Sequence, residues 1–423
     1  MLNNKIDNLL SASLILILPL LITGSFLPDL VLSTSSILFI IILIYNNNLS
    51  FLKKNFFLIF LIFILFGIYS SFISSNSKSI LSSIGYLRFL LFIFFTIFII
   101  QYSKKDLFLY IFYSIFFSYI YLILEFFFQS LTGFTLFGNR VWNPERLIIS
   151  SFYHEEIYSS YIVRIFPFFL GLFFINKNKL NFLTTISFYV LVTSLILSVT
   201  FNGERTAIGL LVLSILFLFI FLDFSKKIKA KTLLISFVLL SITFINLPQE
   251  NIDRKMNGII DFKITISEIL KQDKNQVIIF SEKYNSLFRT GLNIYKENLV
   301  IGAGMKNFRV ECSNQQYAYN NRSCSTHPHN MMIQLLAESG TIGLLFYIFI
   351  IFFIIKILLK NLRNKSISKN RKNYVTCLVC CFFISLWPFF PSGNFFNNWL
   401  SIIMFYPAGF ILNETFYLKK NQK

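Results

Sequence analysis

The sequence predicts an all-α polytopic membrane protein, with about 12 transmembrane helices and a large, partly helical outer loop between helices 9 and 10. Of its 423 residues, 55% are hydrophobic and only 13% are charged, which is more apolar surface than a soluble chain of this length can bury. The apolar residues also form nearly uncharged runs, at 56–73, 107–131 and 344–359, each close to the length that crosses a bilayer. These runs lack a two-residue alternation, which argues against an outer-membrane barrel.

Twelve apolar segments separated by polar connections define the predicted helices. The first follows Lys5 but lacks the cleavage site of a signal peptide, and a second apolar segment follows at once, so we interpret it as a membrane helix. The chain then divides into residues 1–248 with helices 1–9, a loop at 249–329, and residues 330–423 with helices 10–12 and a tail. The segments are 9–27, 29–46, 56–73, 80–101, 107–130, 155–175, 181–201, 205–223, 232–248, 330–358, 374–391 and 396–416.

Lysine and arginine residues are concentrated in alternate connections, and this pattern predicts the orientation of the chain. The positive-inside rule places these basic connections and both termini in the cytoplasm, and the loop at 249–329 on the other side. Much of the net charge of +19 is explained in this way, so we expect no nucleic-acid partner. The basic connections are 53–54, 104–105, 177–179, 226–231 and 360–372, with the tail at 419–423.

The outer loop contains a helical pattern. Phe288, Leu292, Tyr295 and Leu299 recur at helical spacing, which predicts an amphipathic helix whose apolar face rests on the membrane surface, with Arg289 on another face. Glycines at 302 and 304 are expected to end this helix.

Cys312 and Cys324 lie in the same loop, and they are the only cysteines outside the predicted membrane helices. An oxidising compartment would allow them to form a disulfide, and the alternative is a pair of free thiols. Neither the cysteines nor His327 and His329 show the spacing of a zinc site, so we expect no metal ligands here.

Three charged residues at or near membrane depth are candidate functional residues, because a charge is costly there. Arg205 begins the eighth helix, Arg164 lies about two turns into the sixth, and Glu155 opens the sixth. Glu155 can pair with Arg164 or cap its helix. The alternatives are an interfacial arginine that reaches the headgroups, for Arg205, and a structural ion pair, for Arg164.

A stripe of polar residues enters the membrane at the start of the tenth helix. Asn330, Gln334 and Glu338 recur every four residues, so they share one helix face that must contact protein or water rather than lipid. Such a stripe indicates a functional site, and the alternative is a capped helix whose buried polar face serves only packing.

Two histidines precede this stripe in the sequence His-Pro-His-Asn. His329 lies at the mouth of the stripe, where a histidine can act as a general base at neutral pH, since an unperturbed imidazole titrates near about 6.5. We expect Pro328 to hold the rings of His327 and His329 in different directions and to give them unequal roles.

Together these features resemble the bacterial O-antigen ligase and O-antigen polymerase family. The likeness covers most of the chain, including the number of helices and the place of the large loop, and ligases and polymerases share the motifs. The residues that carry it are His327-Pro-His-Asn with Gln334, Glu338, Gly340 and Gly343; Arg205-Thr-Ala; Arg289 ahead of Gly302-Ala-Gly-Met-Lys-Asn-Phe; Arg146 through Phe152-Tyr-His-Glu-Glu to Tyr161; and Gly393-Asn-Phe-Phe-Asn-Asn-Trp.

The resemblance implies an inverting glycosyltransferase of the inner membrane that works at the periplasmic face. The donor would be a glycan linked to undecaprenyl diphosphate, and the acceptor a hydroxyl of lipid A-core for a ligase or of another glycan for a polymerase. In this interpretation His329 is the general base, and Arg205 and Arg289 bind the donor diphosphate in place of a metal or other cofactor. Asn330, Gln334, Glu338, Arg164 and Glu155 would support the site.

A different class of protein also fits part of the pattern. A flippase or transporter of lipid-linked sugars would explain twelve helices and intramembrane arginines, but it explains the outer loop and His329 less well. Transporters often contain related halves, and the sequence shows no internal repeat.

Overall fold

The computed structural model describes residues 4–138, 157–225 and 281–420, together with the isolated residues 152, 227, 238 and 241. The predicted ninth helix, apart from two isolated residues, lies outside these ranges, as do the first part of the outer loop and Glu155.

Within the described residues the chain forms α-helices, short 3-10 turns and loops, and no β-strand. This confirms the all-α prediction, and each predicted segment except the ninth overlaps a helix. The helices are α1 (Asn4–Leu20), α2 (Phe26–Tyr45), α3 (Asn55–Ile73), α4 (Ser77–Gly85), α5 (Leu87–Tyr102), α6 (Leu107–Thr132), α7 (Tyr158–Asn176), α8 (Phe182–Asn202), α9 (Arg205–Phe221), α10 (Glu282–Glu297), α11 (Phe308–Glu311), α12 (Met331–Arg363), α13 (Lys369–Ser385) and α14 (Asn398–Lys420).

Eight helical stretches in the described part of the chain are long and apolar enough to cross a membrane, so the chain is a polytopic membrane protein. The number of twelve spans stays a prediction. The eight are Asn4–Thr23, Phe26–Tyr45, Asn55–Ile73, Ser77–Tyr102, Leu107–Thr132, Tyr158–Lys179, Phe182–Asn202 and Met331–Arg363.

Helix α7 forms the centre of the bundle, where it packs against α6, α8, α9 and α13. Nearly all of its side chains are buried. A Cβ atom added at Gly171 would lie 3.0 Å from the Cβ of Cys377, so the glycine allows α7 and α13 to approach closely. The packing keeps the polar residues of α7 away from lipid.

Helix α12 is broken at Gly340, where the backbone adopts φ 62° and ψ −155°. The break frees backbone groups that a continuous helix would pair, and a segment of the outer loop, Leu299–Gly304, pairs with them instead. Ala303 N donates to Ala337 O at 2.9 Å and Gly304 N to Glu338 O at 3.0 Å, while Thr341 N donates to Leu299 O at 2.8 Å. Irregular backbone at this depth is tolerated only where protein satisfies it in this way.

Residues 302–307 of the outer loop are hydrogen-bonded to α3 and to the start of α4. The hydroxyl of Ser70 donates to Gly302 O at 2.8 Å, and that of Ser79 donates to Met305 O at 2.7 Å. The amide of Asn76 donates to Asn307 Oδ1 at 2.7 Å. The loop is thereby fixed between the amino-terminal helices and α12.

The close approach at the break predicts a large effect of one added methyl group. A Cβ at Gly302, where φ is 71°, would overlap the backbone nitrogen of Ser339. Gly302→Ala should therefore destabilise the fold by roughly 3 kcal/mol or more, because steric overlap adds to backbone strain. The thermal midpoint of the purified protein in detergent measures this.

Gly133→Ala is the matched control, because φ there is 74° and no atom lies within 4 Å of the added Cβ. Strain alone should cost about 1 kcal/mol at that position. Equal thermal midpoints for Gly302→Ala and Gly133→Ala would show that the backbone of Ser339 does not pack tightly against Gly302.

Candidate active site

The histidine segment lies directly before α12, where Asn330 caps the helix. Its side chain accepts a hydrogen bond from Ile333 N at 3.1 Å, and its amide donates to Pro388 O at 2.7 Å. His329 has a positive φ of 55°, which is unusual for a residue with a side chain. Ser392 N donates to His329 O at 2.8 Å, so the connection between α13 and α14 holds the strained residue in place.

His327 is buried, and both of its ring nitrogens have protein partners. Its Nε2 lies 3.1 Å from Ser392 O, and a carbonyl can only accept, so this nitrogen carries the proton. Its Nδ1 then accepts from the Thr326 hydroxyl at 3.0 Å. These contacts leave no nitrogen of His327 available to a substrate.

His329 is half-buried, and only one of its ring nitrogens has a partner within the described residues: Nε2 lies 3.3 Å from Ser325 Oγ. The expectation that the two histidine rings diverge is wrong, because their centroids are 4.0 Å apart. The positive φ at His329 turns the chain back, and Ser392 binds both residues, which overrides the separating effect of Pro328.

Burial, together with the smaller effect of the nearby charge of Lys283, lowers the pKa of His329 to about 4. Burial, followed by the charge of His329, lowers the pKa of His327 to about 3. The unperturbed value assumed from the sequence is thus wrong for this environment. Both rings are neutral at pH 7, and His329 is in the form that accepts a proton.

The polar stripe of α12 forms hydrogen bonds to two other parts of the chain. The amide of Gln334 donates to Glu338 at 2.8 Å and to Asn394 at 2.7 Å, and Phe395 N donates to Gln334 Oε1 at 2.9 Å. Glu338 accepts from Phe308 N at 3.0 Å. The stripe therefore joins the outer loop to the connection between α13 and α14, as the packing alternative predicted. It begins at Asn330, the residue directly after His329, so this network also fixes the position of the histidine segment.

Arg205 is the first residue of α9 and is exposed. The preceding Glu204 accepts hydrogen bonds from the backbone N–H and the hydroxyl of Ser160 on α7. One turn along α9, a Cβ at Gly209 would lie 3.0 Å from the ring of Phe390. Because Phe390 and Ser392 share one connection, Arg205 and the histidines lie at the same end of the bundle.

Arg164 lies within α7 and is buried, and its Nε and Nη1 atoms have no hydrogen-bond partner in the described part of the chain. The charge of Glu204 acts on it. Its predicted pairing with Glu155 lies outside the described residues. Arg164 thus lies close to Glu204, beside the start of α9.

Arg289 lies on α10, and its guanidinium stacks on the ring of Tyr319, with Cζ 4.7 Å from the centroid. Leu287 and Ile294 of this helix are fully buried against protein, whereas Leu292, on the predicted apolar face, is 39% exposed, and the contact of that face with the membrane surface stays a prediction. Gly291 allows α10 to pack on Ile333 of α12, so the face that carries Leu287, Gly291 and Ile294 rests on protein.

Cys312 and Cys324 are joined by a disulfide, with Cα atoms 4.9 Å apart. Cys312 Sγ also lies 3.7 Å from Ser325 O. Because the hydroxyl of Ser325 contacts His329, the disulfide holds in place the turn that approaches the histidine.

Several residues near the histidines were not predicted from the sequence. Lys306 and Arg309 are cations close to the Glu338 end of the stripe, and Lys283 and Tyr284 of α10 lie beside His329. Lys306 could have been noticed, because it is a charged residue within the glycine-rich stretch at 302–308. Nothing local distinguishes Ser392, which acts through its backbone.

Residues 166–348 match the family model described as O-Antigen ligase. This confirms the family resemblance seen in the motifs, and it supports a glycan-transfer function of the ligase or polymerase type. No curated protein matched the chain.

The electrostatic environment of His329 predicts the effect of a neighbouring charge on its titration. Lys283→Gln should raise the pKa of His329 from about 4 toward its ordinary value, because removal of a positive charge favours the imidazolium. NMR of histidine-labelled protein can follow this, since the chain contains only 3 histidines. Lys296→Gln, on the exposed surface of α10, should leave the titration unchanged. An equal shift in both variants would exclude a local effect of Lys283.

Proposed function

From the match to the O-antigen ligase family model, we propose that this chain moves a glycan from undecaprenyl diphosphate to a hydroxyl of lipid A-core at the periplasmic face of the inner membrane. The observation that supports this best is the neutral, half-buried His329, with one ring nitrogen free of described partners, at the mouth of a membrane helix. The charge of Lys283 acts on His329 and that of Arg309 on the neighbouring His327, so the position has the positive charge that an anionic donor requires. Both termini are then cytoplasmic.

In the proposed reaction the acceptor hydroxyl oxygen attacks the anomeric carbon of the donor glycan. The bond from that carbon to the diphosphate oxygen breaks as the new glycosidic bond forms, and undecaprenyl diphosphate leaves with the electron pair. The hydroxyl proton passes to a ring nitrogen of His329. Direct displacement of this kind inverts the anomeric carbon.

The arginines compensate the charge that develops on the leaving group. Guanidinium groups bind phosphate oxygens in pairs, and donors arranged in advance are worth roughly 3–4 kcal/mol each in well-studied enzymes. We assign this role to Arg205 and Arg289, on α9 and α10. Arg164, buried in α7 near Glu204 and without a described hydrogen bond at two of its nitrogens, supplies a further positive charge beside the start of α9.

The direct test is reconstitution of the purified protein with an undecaprenyl diphosphate-linked glycan and a candidate acceptor. Product on lipid A-core supports a ligase, and elongation of the lipid-linked glycan alone would assign the chain as a polymerase. Movement of the donor across the bilayer without a new glycosidic bond would contradict both and favour a transporter.

The two histidines should respond differently to substitution. His329→Ala should lower turnover by about 10²–10⁴-fold, the usual contribution of a positioned base, while donor binding is retained. His327→Ala should have a smaller effect on turnover and a larger effect on the thermal midpoint, because both of its nitrogens hold the loop together. Parental turnover by His329→Ala would exclude it as the base.

The arginine assignment predicts catalysis that survives removal of metals. Activity should be unchanged in chelator, whereas Arg205→Ala and Arg289→Ala should each lose most of it. Arg→Lys at either position should also be impaired, because an ammonium cannot form the paired contact. Loss of activity in chelator, restored by a divalent cation, would contradict this assignment.

A further inference from the structure

A cavity of about 290 Å³ lies at the end of the bundle opposite the outer loop. It is formed where α2 ends, α3 begins and α5 ends, and the 3-10 turn Leu49–Leu52, which connects α2 to α3, forms one side. Helix α3 has 19 residues and spans about 28 Å, and its far end carries Ser70, which binds the outer loop. The cavity therefore faces the side of the membrane opposite the proposed active site.

The turn that borders the cavity is fixed by packing and hydrogen bonds. The ring of Phe51 packs between α2 and α5, with its centroid 6.1 Å from that of Phe39 and 6.4 Å from that of Phe94. The hydroxyl of Ser50 donates to Asn48 Oδ1 at 3.1 Å. These contacts hold the turn in position, so the cavity is part of the fold.

The lining of the cavity combines an apolar floor with a polar rim. Phe94 and Ile97 of α5 are almost fully buried and form the floor. Gln101 on the rim is held by a hydrogen bond from its amide to Asn413 Oδ1 at 3.0 Å. Such a lining suits a ligand with an apolar part and a hydrogen-bonding part. The polar residues of the rim are Asn48, Ser50, Lys54, Gln101 and Tyr102.

The charge at the cavity is positive. Among the described residues that line it, Lys54 is the only one with a charge, and none is a carboxylate. Lys53 precedes it, and two more lysines follow the end of α5 at 104–105. Asp106, the next acid along the chain, pairs with Lys179. The cavity therefore favours an anionic ligand.

Exposed apolar residues beside the cavity place its mouth at the level of the membrane surface. Ile44, Tyr45 and Leu49 are each more than half exposed, at 56%, 86% and 51%. Large apolar side chains at the ends of membrane helices contact lipid, and tyrosine is enriched where the hydrocarbon meets the headgroups. A lipid can thus place its headgroup in the cavity while its chains remain in the bilayer beside α2.

We propose that this cavity binds the headgroup of an anionic phospholipid, with the phosphate at Lys54 and the polar headgroup atoms at Asn48, Ser50 and Gln101. Its volume is near the lower end of the roughly 300–1,000 Å³ that is typical of small-molecule sites, which suits a headgroup rather than a whole lipid. Basic pockets between membrane helices bind such headgroups on the cytoplasmic side, where the lysine pattern predicts this end of the bundle. The site shares no residue with the proposed glycan transfer and does not depend on it.

The test uses the full-length protein in detergent, titrated with dioctanoyl phosphatidylglycerol while the rise in its melting temperature is measured. The parent should be stabilised by this lipid and much less by dioctanoyl phosphatidylcholine, whose choline cancels the charge of the phosphate. Lys54→Gln should raise the concentration for half-maximal stabilisation roughly 10- to 100-fold, the usual loss for a hydrogen bond to a charged group.

Two further variants separate the cavity from the surface around it. Lys53→Gln removes the same charge from the neighbouring exposed residue, which does not line the cavity, and it should respond like the parent. Ser50→Trp keeps Lys54 but fills the cavity, so it should lose the response to the lipid. Its melting temperature without lipid should stay close to that of the parent, because residue 50 is exposed.

Three results would overturn the proposal. An equal loss in Lys54→Gln and Lys53→Gln would indicate general attraction of anionic lipid to a basic surface. An unchanged response of Ser50→Trp would place the lipid outside the cavity. Equal stabilisation of the parent by glycerol 3-phosphate, which has no acyl chains, would assign the cavity to a soluble phosphate ester instead of a lipid.

Discussion

The break in α12 at Gly340 is the constraint on which the rest of the site depends. A helix interrupted within a membrane span exposes N–H and C=O groups that lipid cannot satisfy, so protein must supply their partners. Leu299–Gly304 of the outer loop supplies them, with four hydrogen bonds to residues 337–342. A glycine-rich segment can approach another backbone this closely, as the overlap expected for a side chain at Gly302 illustrates. The outer loop is thus part of the membrane bundle rather than an appendage.

Once the loop is fixed there, the polar stripe of α12 acquires its role. Gln334 and Glu338 connect the loop on one side with Asn394 and Phe395 on the other, so three distant parts of the chain meet around one helix turn. A buried network of this kind is favourable only when every member is satisfied, which makes its geometry specific. The histidine segment directly precedes this network in the chain, and hydrogen bonds to the backbone of Ser392 hold it in place.

The electrostatics of the mouth follow from this assembly. Burial keeps His329 neutral, and nearby Lys283 opposes its protonation. The same positive environment suits an anionic ligand, and an anion bound there would in turn favour the imidazolium that forms when His329 accepts a proton. His329 occupies a left-handed backbone conformation at this site, so local stability is sacrificed where ligand contacts are expected.

The sequence alone determined the membrane class, the positions of the described helices and the identity of the histidine motif, because hydrophobic length and helical periodicity are local properties. Cys312 and Cys324 were likewise within reach, since they were the only cysteines in the outer loop. Which groups face one another depends on the folded structure. The buried face of α10, the contact between the histidine rings and the depressed pKa of His329 all depend on Ser392, Ile333 and Lys283, which are remote in sequence or unremarkable in type. Burial and contacts between residues distant in sequence set these properties, and the spacing of residue types along the chain does not indicate them.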